Sequence, residues 1–181
     1  MTFERQIQLK NGQTALLRNG TAADGAGALE NFLQAHKETD ALLSYPDEIT
    51  FTAEDEGRYL QEKTDSPNEI ELLALLDGKV VGMAGIEAVG TQEKVRHRAE
   101  FGVDILRDYW GLGLGSAMTE ACIQCAREAG YAQLELTVVA ENARAVALYQ
   151  KHGFVECGRN PMGFRSRFSG YQEIVSMRLE L

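Results

Sequence analysis

A glycine-rich turn at residues 110–116, Trp-Gly-Leu-Gly-Leu-Gly-Ser, carries the strongest chemical signal in this chain. It leads into an apolar stripe with helical spacing that includes Leu114, Met118 and Cys122. The first turn of a helix has free N–H groups and a partial positive charge, and glycines leave those groups open to a ligand. The turn therefore predicts a site for an anion, and we interpret it as a phosphate cradle.

Three other interpretations of this turn compete with a phosphate cradle. A nucleotide P-loop needs Lys and then Ser or Thr after its last glycine, whereas Ser116 and Ala117 follow here, so the pattern does not fit. A dinucleotide fingerprint matches the glycine spacing, but polar and aromatic residues separate the strand from the turn. Too few residues also follow Gly115 for a doubly wound sheet. The third interpretation, glycines that only allow close packing of the helix, applies to such a turn when it stands alone.

The segment that follows, residues 134–154, gives the turn its context. An alternating strand leads into a second helical stretch, and the notable residues are Asn142, Ala143, Leu148, Tyr149, Gly153 and Phe154. A glycine turn that opens a helix, followed by this series, resembles the GNAT superfamily of acyl-CoA-dependent N-acyltransferases. The core of the match runs from about residue 95 to residue 157, and weaker similarity covers 17–24 and 170–177.

One residue departs from the pattern of that superfamily. The turn usually begins with Gln or Arg, and this chain has Trp110. The variant resembles the branch that acetylates protein N-termini and small amines. Backbone amides bind the diphosphate in that family, so the change of side chain should leave this binding intact.

The resemblance implies acetyl-CoA as co-substrate and assigns residues to it. In the family, the pantetheine arm pairs with the strand before the turn, the diphosphate lies on the amides of the turn, and an Asn contacts the pantetheine end. On this chain these residues are Val103, Asp104, Ile105, Trp110, Gly111, Leu112, Gly113, Leu114, Gly115, Ser116 and Asn142. Asn142 is also a good helix N-cap, and the two roles are compatible.

Tyr149 is the residue expected to act as the general acid. A neutral phenol with a reference pKa near 10 keeps its proton at pH 7 and can give it to a departing thiolate. Its place in the helix after Asn142 is where the family keeps this acid. A tyrosine beside Leu148 on a helix face could instead be a core residue with a wet hydroxyl.

Glu100 is the expected general base, because a primary amine titrates near 10 and must lose a proton to attack. It lies on the strand before the turn, close to where several family members keep a glutamate. Strand alternation puts it on one face with Gly102 and Asp104. An exposed carboxylate, or a partner of Arg98, is the competing interpretation.

Together these residues predict direct attack by a primary amine in a ternary complex, without a covalent enzyme intermediate. A non-catalytic acyl-CoA-binding or regulatory module on the same fold is the alternative. The acceptor is open, and small-molecule and protein amines both remain. Residues 38–71 contain eleven acidic residues and two basic ones, which favours a cationic acceptor if this segment lines the cleft. A solvated helix and loop is the competing interpretation of the same segment.

Composition sets the remaining bounds. The chain has 181 residues, 44% of them hydrophobic, and a net charge of −9, which suits one domain (1–181) and argues against nucleic acid as a partner. No signal peptide or long apolar run is evident, so we expect a cytoplasmic protein without membrane contact. Three cysteines suggest free thiols, and Cys122-x-x-Cys125 lacks further ligands at zinc spacing, so no metal is expected.

The order of elements predicts an α/β (α+β) fold, with a mixed, mostly antiparallel central sheet of six to seven strands and helices on both faces. Capping boxes at 21–24 and 52–55 start two helices, and strands joined by short turns follow. The resemblance implies a splay between the strands ending at Ile105 and starting at Ala132. Residues 158–168 are expected to form a long loop between two closing strands, as an acceptor wall or a homodimer contact.

Overall fold

The chain folds into eight strands and four α-helices. The computed structural model describes residues 1–181. The strands are β1 (Glu4–Gln8), β2 (Thr14–Asn19), β3 (Ile70–Leu76), β4 (Lys79–Ala88), β5 (Arg98–Ile105), β6 (Gln133–Val139), β7 (Val155–Ser166) and β8 (Gly170–Glu180). The helices are α1 (Gly25–Glu38), α2 (Ala53–Asp65), α3 (Leu114–Glu128) and α4 (Ala143–Lys151).

All eight strands join one sheet in the order β1-β2-β3-β4-β5-β6-β8-β7. Each neighbouring pair is antiparallel except β5 and β6, which are parallel. The mixed, mostly antiparallel sheet is therefore confirmed, with one strand more than the six to seven expected. The extra strand arises because residues 4–19 form a complete hairpin and both of its strands join the sheet.

The core lies on both faces of the sheet. On one face Ala28 of α1 and Leu60 of α2 pack on β3 and β4, in a small cluster with Leu73 and Met83. The larger cluster fills the opposite face, where the stripe of α3 described above is buried against alternate residues of the same strands. Alternate residues of a strand point to opposite faces, so the two clusters place helices on both sides, as expected.

Local sequence signals fix several element ends. Thr52 begins α2 with a capping box, in which its hydroxyl accepts from Asp55 N at 3.2 Å and the Asp55 carboxylate accepts from Thr52 N at 2.8 Å. After α3 the chain turns at Gly130, and after α4 at Gly153, both in the left-handed region. The three cysteines are free thiols, as predicted.

The prediction of a loop at residues 158–168 is wrong. Strand β7 continues to Ser166 and pairs with β8 through two register shifts, after Glu156 and after Asn160. Its Gly-Arg-Asn-Pro composition indicates a loop, but β7 is the last strand of the sheet, and an edge strand tolerates proline and bulges because one side needs no ladder hydrogen bonds. The connection that remains before β8 is the short turn 167–169.

Candidate active site

The glycine turn presents a row of free backbone donors. The N–H groups of the six residues from Gly111 to Ser116 make no hydrogen bond within the protein, and the first turn of α3 supplies the last three of them. Gly111 and Gly113 have φ values of 78° and 95°, in the left-handed region that glycine adopts without strain. Of these six residues Gly111 is exposed and the other five are buried or half-buried. A row of free donors at a helix N-terminus suits a phosphate.

Two hydrogen bonds hold this turn in place. The Leu112 carbonyl accepts from Lys10 N in the β1–β2 hairpin at 3.0 Å. The indole Nε1 of Trp110 donates to the Ile105 carbonyl at 2.7 Å. The Leu112 and Leu114 side chains pack toward the core and leave the cavity surface to the backbone and the glycines.

Basic side chains surround the turn. The guanidinium of Arg144 lies over the Trp110 ring at 4.6 Å from its centroid, and that of Arg107 at 5.5 Å. Lys151 Nζ donates to the Ser116 hydroxyl at 3.2 Å. Three cations thus lie close to the free amides, which favours an anionic ligand although the whole chain is acidic.

His152 reaches the same serine from the end of α4. Its Nε2 lies 2.8 Å from the Ser116 hydroxyl. Burial is the main cause that lowers the pKa of His152 below its ordinary value, so the ring is neutral at pH 7. The positive charge beside Ser116 at neutral pH therefore belongs to Lys151.

Strands β5 and β6 separate just before the turn, as the resemblance implied. They pair only from Arg98 to Glu100, and beyond Glu100 the edge of β5 that faces β6 has no strand partner. Val103 lies on this open edge and lines the cavity. Ile105 lies there too, but its carbonyl already accepts from Trp110. Within the open edge, Val103 is therefore the residue better placed to pair with an extended ligand.

A cavity of about 1070 Å³ passes through this splay. It joins the glycine turn, the open edge of β5, the start of α4 and the segment after α1. Of the predicted site residues, the cavity is lined by Val103, Asp104, Ile105, Trp110, Gly111, Gly113, Gly115, Ser116, Asn142 and Tyr149. Glu100, Leu112 and Leu114 do not line it.

Tyr149 lines the cavity from α4. It is only 8% exposed, and its ring stands edge-on to Phe101 at 6.0 Å between centroids, with Phe154 at 5.9 Å. Burial raises the pKa of Tyr149 to about 12. The phenol is therefore protonated across the physiological range, and no group of the protein hydrogen-bonds to it.

Asn142 begins α4 in the way the sequence indicates. Its Oδ1 accepts from Ala145 N at 3.3 Å, which satisfies one of the free donors of the helix start. The side-chain oxygen is thereby occupied, while the amide Nδ2 makes no hydrogen bond within the protein, and Asn142 lines the cavity. The cap and a contact to a ligand can coexist at this residue.

Of the two carboxylates on one face of β5, only one reaches the cavity. Glu100 is exposed and stands opposite Glu87 of β4. Asp104 is half-buried and lines the cavity, and its Oδ1 accepts from Asn31 Nδ2 of α1 at 2.6 Å. Burial raises the pKa of Asp104 to about 7, with a smaller contribution from Glu56.

The sequence did not predict a chemical role for the side chain of Asp104. The sequence placed Asp104 on the strand only for its backbone, and nothing local shows that α1 brings a buried asparagine against it. One signal was available, because Asp104 is a carboxylate between the apolar residues Val103 and Ile105, beside a candidate site. No three histidine, cysteine, aspartate or glutamate side chains come together in a way that could hold a metal ion.

The fold and this site define a class of protein. A splayed, mixed sheet with a glycine turn at a helix N-terminus matches the Acetyltransferase (GNAT) family over residues 32–154, and the chain belongs to that family. Transfer of an acetyl group from acetyl-CoA is general in the family. None of the four helices has both the length and the apolar character needed to cross a bilayer.

Among individual proteins, the chain is similar to two curated relatives. It shares 34% identity over 91 residues with the L-amino acid N-acetyltransferase AaaT of Escherichia coli (strain K12), covering 50% of this chain and 56% of the relative. It shares 27% identity over 124 residues with the mycothiol acetyltransferase of Jonesia denitrificans, covering 67% of this chain and 38% of the relative. The chain thus spans about half or less of the length of these relatives.

Solved structures repeat the fold more completely. An acetyltransferase of the GNAT family from Streptococcus pneumoniae superposes with a TM-score of 0.87 at 34% identity, over 92% of this chain and 99% of that one. A ribosomal-protein-alanine N-acetyltransferase from Brucella melitensis has a TM-score of 0.79 at 27% identity, over 91% and 99%. A phosphinothricin acetyltransferase from Sinorhizobium meliloti, solved with acetyl-CoA, shares the fold at 19% identity and a TM-score of 0.80, over 92% and 88%.

Proposed function

We propose that this chain transfers the acetyl group of acetyl-CoA to a primary amine in a ternary complex. The six unpartnered N–H groups from Gly111 to Ser116 carry the proposal, because a diphosphate supplies the acceptors that they lack. Arg107, Arg144 and Lys151 add positive charge around the same turn. Family membership supports the same donor.

The rest of the donor would extend from the turn along the open edge of β5. The backbone of Val103 is free to pair with the amide groups of the pantetheine arm, as an added strand would. Asn142 Nδ2 would donate to the same arm from the other side of the splay. The thioester then lies where the cavity connects the two faces of the sheet.

In the reaction, the amine nitrogen attacks the thioester carbonyl carbon, so that a C–N bond forms and the C–S bond breaks. Tyr149 gives its proton to the departing thiolate, since a phenol buried at the cavity wall keeps that proton until it is needed. A backbone N–H on the open edge of β5 is suitably placed to stabilise the carbonyl oxygen as it gains charge. No covalent enzyme intermediate is required.

We assign removal of the amine proton to Asp104 rather than to Glu100. Both stand on the same face of β5, but Asp104 lines the cavity and Glu100 does not. Its pKa of about 7 also suits a base that works near neutral pH. Replacing Asp104 by Asn should therefore lower turnover more than replacing Glu100 by Gln, and the reverse order would return the role to Glu100.

The proposal is tested by thermal stability and thiol release. Acetyl-CoA should raise the unfolding temperature, because a ligand that binds only the folded state stabilises it, and addition of an amine should release free CoA thiol. Stabilisation without thiol release from any amine in a broad panel would support the non-catalytic acyl-CoA-binding module instead. Stabilisation by NAD and not by CoA would indicate a nicotinamide enzyme.

The acceptor panel should include both small and protein amines. The names of similar proteins cover an L-amino acid acetyltransferase and a ribosomal-protein-alanine acetyltransferase. Free amino acids and peptides with a free N-terminal alanine are therefore natural members of the panel. Their relative kcat/KM values would separate these two groups of acceptor.

A further inference from the structure

Three carboxylates lie together under α1 and α2 without a direct salt bridge. Glu56 of α2, Glu71 of β3 and Asp104 of β5 influence one another electrostatically, and none of them has a salt-bridge partner. We call this group the acidic recess. The only nearby ammonium, Lys63 Nζ, is already bound to Glu69 at 2.9 Å and to Glu87 at 3.2 Å. Burial raises the pKa of all three, because a carboxylate without a cation is costly to ionise there, and a bound cation would offset that cost.

A buried amide points to a ligand in the same place. Asn31 is 1% exposed, and its Nδ2 donates to Asp104 at 2.6 Å. Its Oδ1 has no hydrogen-bond partner. Buried side-chain acceptors in native proteins nearly always have a donor, so Asn31 Oδ1 indicates an N–H group that belongs to a bound molecule.

The floor of the recess is bare backbone. Gly85 and Gly102 stand opposite each other on β4 and β5, and a Cβ added at Gly102 would meet nothing within 4 Å. A Cβ at Gly85 would come 1.9 Å from Glu71 Oε2, so the Glu71 carboxylate lies across the strand, over Gly85. The two glycines thus leave a trough between Glu71 and the cavity.

The length of this trough follows from strand spacing. The Glu71 carboxylate lies over β4, one strand spacing from β5. The open edge of β5 is slightly farther away, so the distance from the Glu71 carboxylate to that edge is about 5 to 8 Å. Gly102 and Asp104 line the cavity, so the trough opens toward the position of the thioester. An amine that reacts at the open edge can therefore place a second cation against Glu71.

We propose that the acceptor is a primary amine with a second ammonium group at the far end of a short aliphatic chain, bound along the trough with that second group against Glu71 and Glu56. The inference rests on the proposed acetyl transfer and names its substrate class. Asp104 faces the reacting nitrogen, and Asn31 Oδ1 accepts from an N–H of the same ligand. The four-carbon chain of 1,4-diaminobutane suits the estimated span.

The experiment compares 1,4-diaminobutane with butylamine, which has the same chain and lacks the second ammonium. With acetyl-CoA saturating, kcat/KM for the diamine should exceed that for butylamine by at least about tenfold, the factor that 1.4 kcal/mol produces. In the Glu71→Gln variant this ratio should fall toward one. Glu56→Gln should lower the ratio as well, and this variant provides an independent measurement if Glu71→Gln does not fold.

Glu93→Gln is the matched control, because Glu93 is an exposed carboxylate in the β4–β5 connection and its loss changes the net charge equally. It should keep the wild-type ratio. Equal kcat/KM for the two amines in the wild type, or an unchanged ratio in both recess variants, overturns the inference while acetyl transfer stands. Absence of both thiol release and stabilisation by acetyl-CoA overturns the proposed function itself.

Discussion

Trp110 is bonded to Ile105, with the indole Nε1 donating to the carbonyl oxygen at 2.7 Å. The bond ties the first residue of the glycine turn to the last residue of β5. This hydrogen bond explains a structural role for Trp110, the residue that departs from the family pattern. It fixes the turn relative to the open edge of β5, where the donor is proposed to bind. The Arg144 guanidinium of α4 packs over the Trp110 ring and so connects α4 to the same turn.

Trp110→Phe should lose this anchor and keep an aromatic ring. A neutral hydrogen bond contributes about 1 kcal/mol net, so the unfolding temperature should fall by roughly 2–4 °C, and acetyl-CoA should bind severalfold more weakly. Thermal unfolding and calorimetric titration measure the two effects. Tyr109→Phe, whose hydroxyl makes no hydrogen bond within the protein, is the control for stability. Full acetyl-CoA affinity in Trp110→Phe would contradict the anchoring role.

Gly113→Ala separates ligand binding from backbone strain. Alanine at φ 95° costs about 1–2 kcal/mol, and its Cβ would enter open space on the cavity side, where the diphosphate is proposed to lie. Acetyl-CoA affinity should fall at least tenfold. Gly130→Ala, at φ 83° and also with nothing within 4 Å, carries the same strain at the far end of α3 and should keep the affinity. Equal losses of affinity in both variants would point to strain alone.

Tyr149→Phe should lower turnover by about 100-fold or more and leave acetyl-CoA affinity within twofold, because the lost hydroxyl is proposed to act only on the leaving thiolate. Stability should barely change, since that hydroxyl has no partner in the protein. Tyr131→Phe is the opposite control, because its hydroxyl accepts from Asn68 Nδ2 at 2.7 Å outside the cavity. It should cost stability and keep turnover. Turnover retained in Tyr149→Phe would remove the acid role.

Local patterns were sufficient for much of this fold. The glycine turn, the stripe of α3 and the cap at Asn142 are local features, so the sequence places them within one or two residues. The splay after Glu100 followed from the family resemblance rather than from local pattern. The failure at β7 has a physical reason, because an edge strand accepts the residues that otherwise mark a loop.

The acceptor side could not be predicted in the same way. The three carboxylates of the recess and the adjoining Asn31 come from four different elements, and the trough depends on Gly85 lying opposite Gly102. Only the pairing register and the packing of α1 and α2 bring these residues together. Two of the three recess carboxylates, Glu56 and Glu71, come from the acidic segment 38–71, and the preference of that segment for a cationic acceptor stays a prediction.

The Asp104→Asn variant tests the protonation state of Asp104 through the pH dependence of the free energy of unfolding. The folded-state pKa of Asp104 is about 7, well above its ordinary value of 3.8, mainly because of burial. Between about pH 4 and pH 7 the folded protein therefore holds a proton at this site that the unfolded chain has released. Stability contributed by Asp104 is present at low pH and is lost as the pH rises through 7.

The expected result is a difference between two pH profiles. Relative to wild type, Asp104→Asn should gain stability from pH 5 to pH 8, on the order of 1–2 kcal/mol, because the amide never ionises and can still accept from Asn31. Urea unfolding of both proteins at each pH measures this gain. His36 and His152 also have shifted pKa values, but they remain in both proteins and largely cancel in the difference. Glu56 and Glu71 interact with Asp104, so loss of the Asp104 charge also makes these two carboxyls easier to ionise and adds to the gain. A flat difference between pH 5 and pH 8 would mean that Asp104 is ionised throughout, and its assignment as a base with a raised pKa would fail.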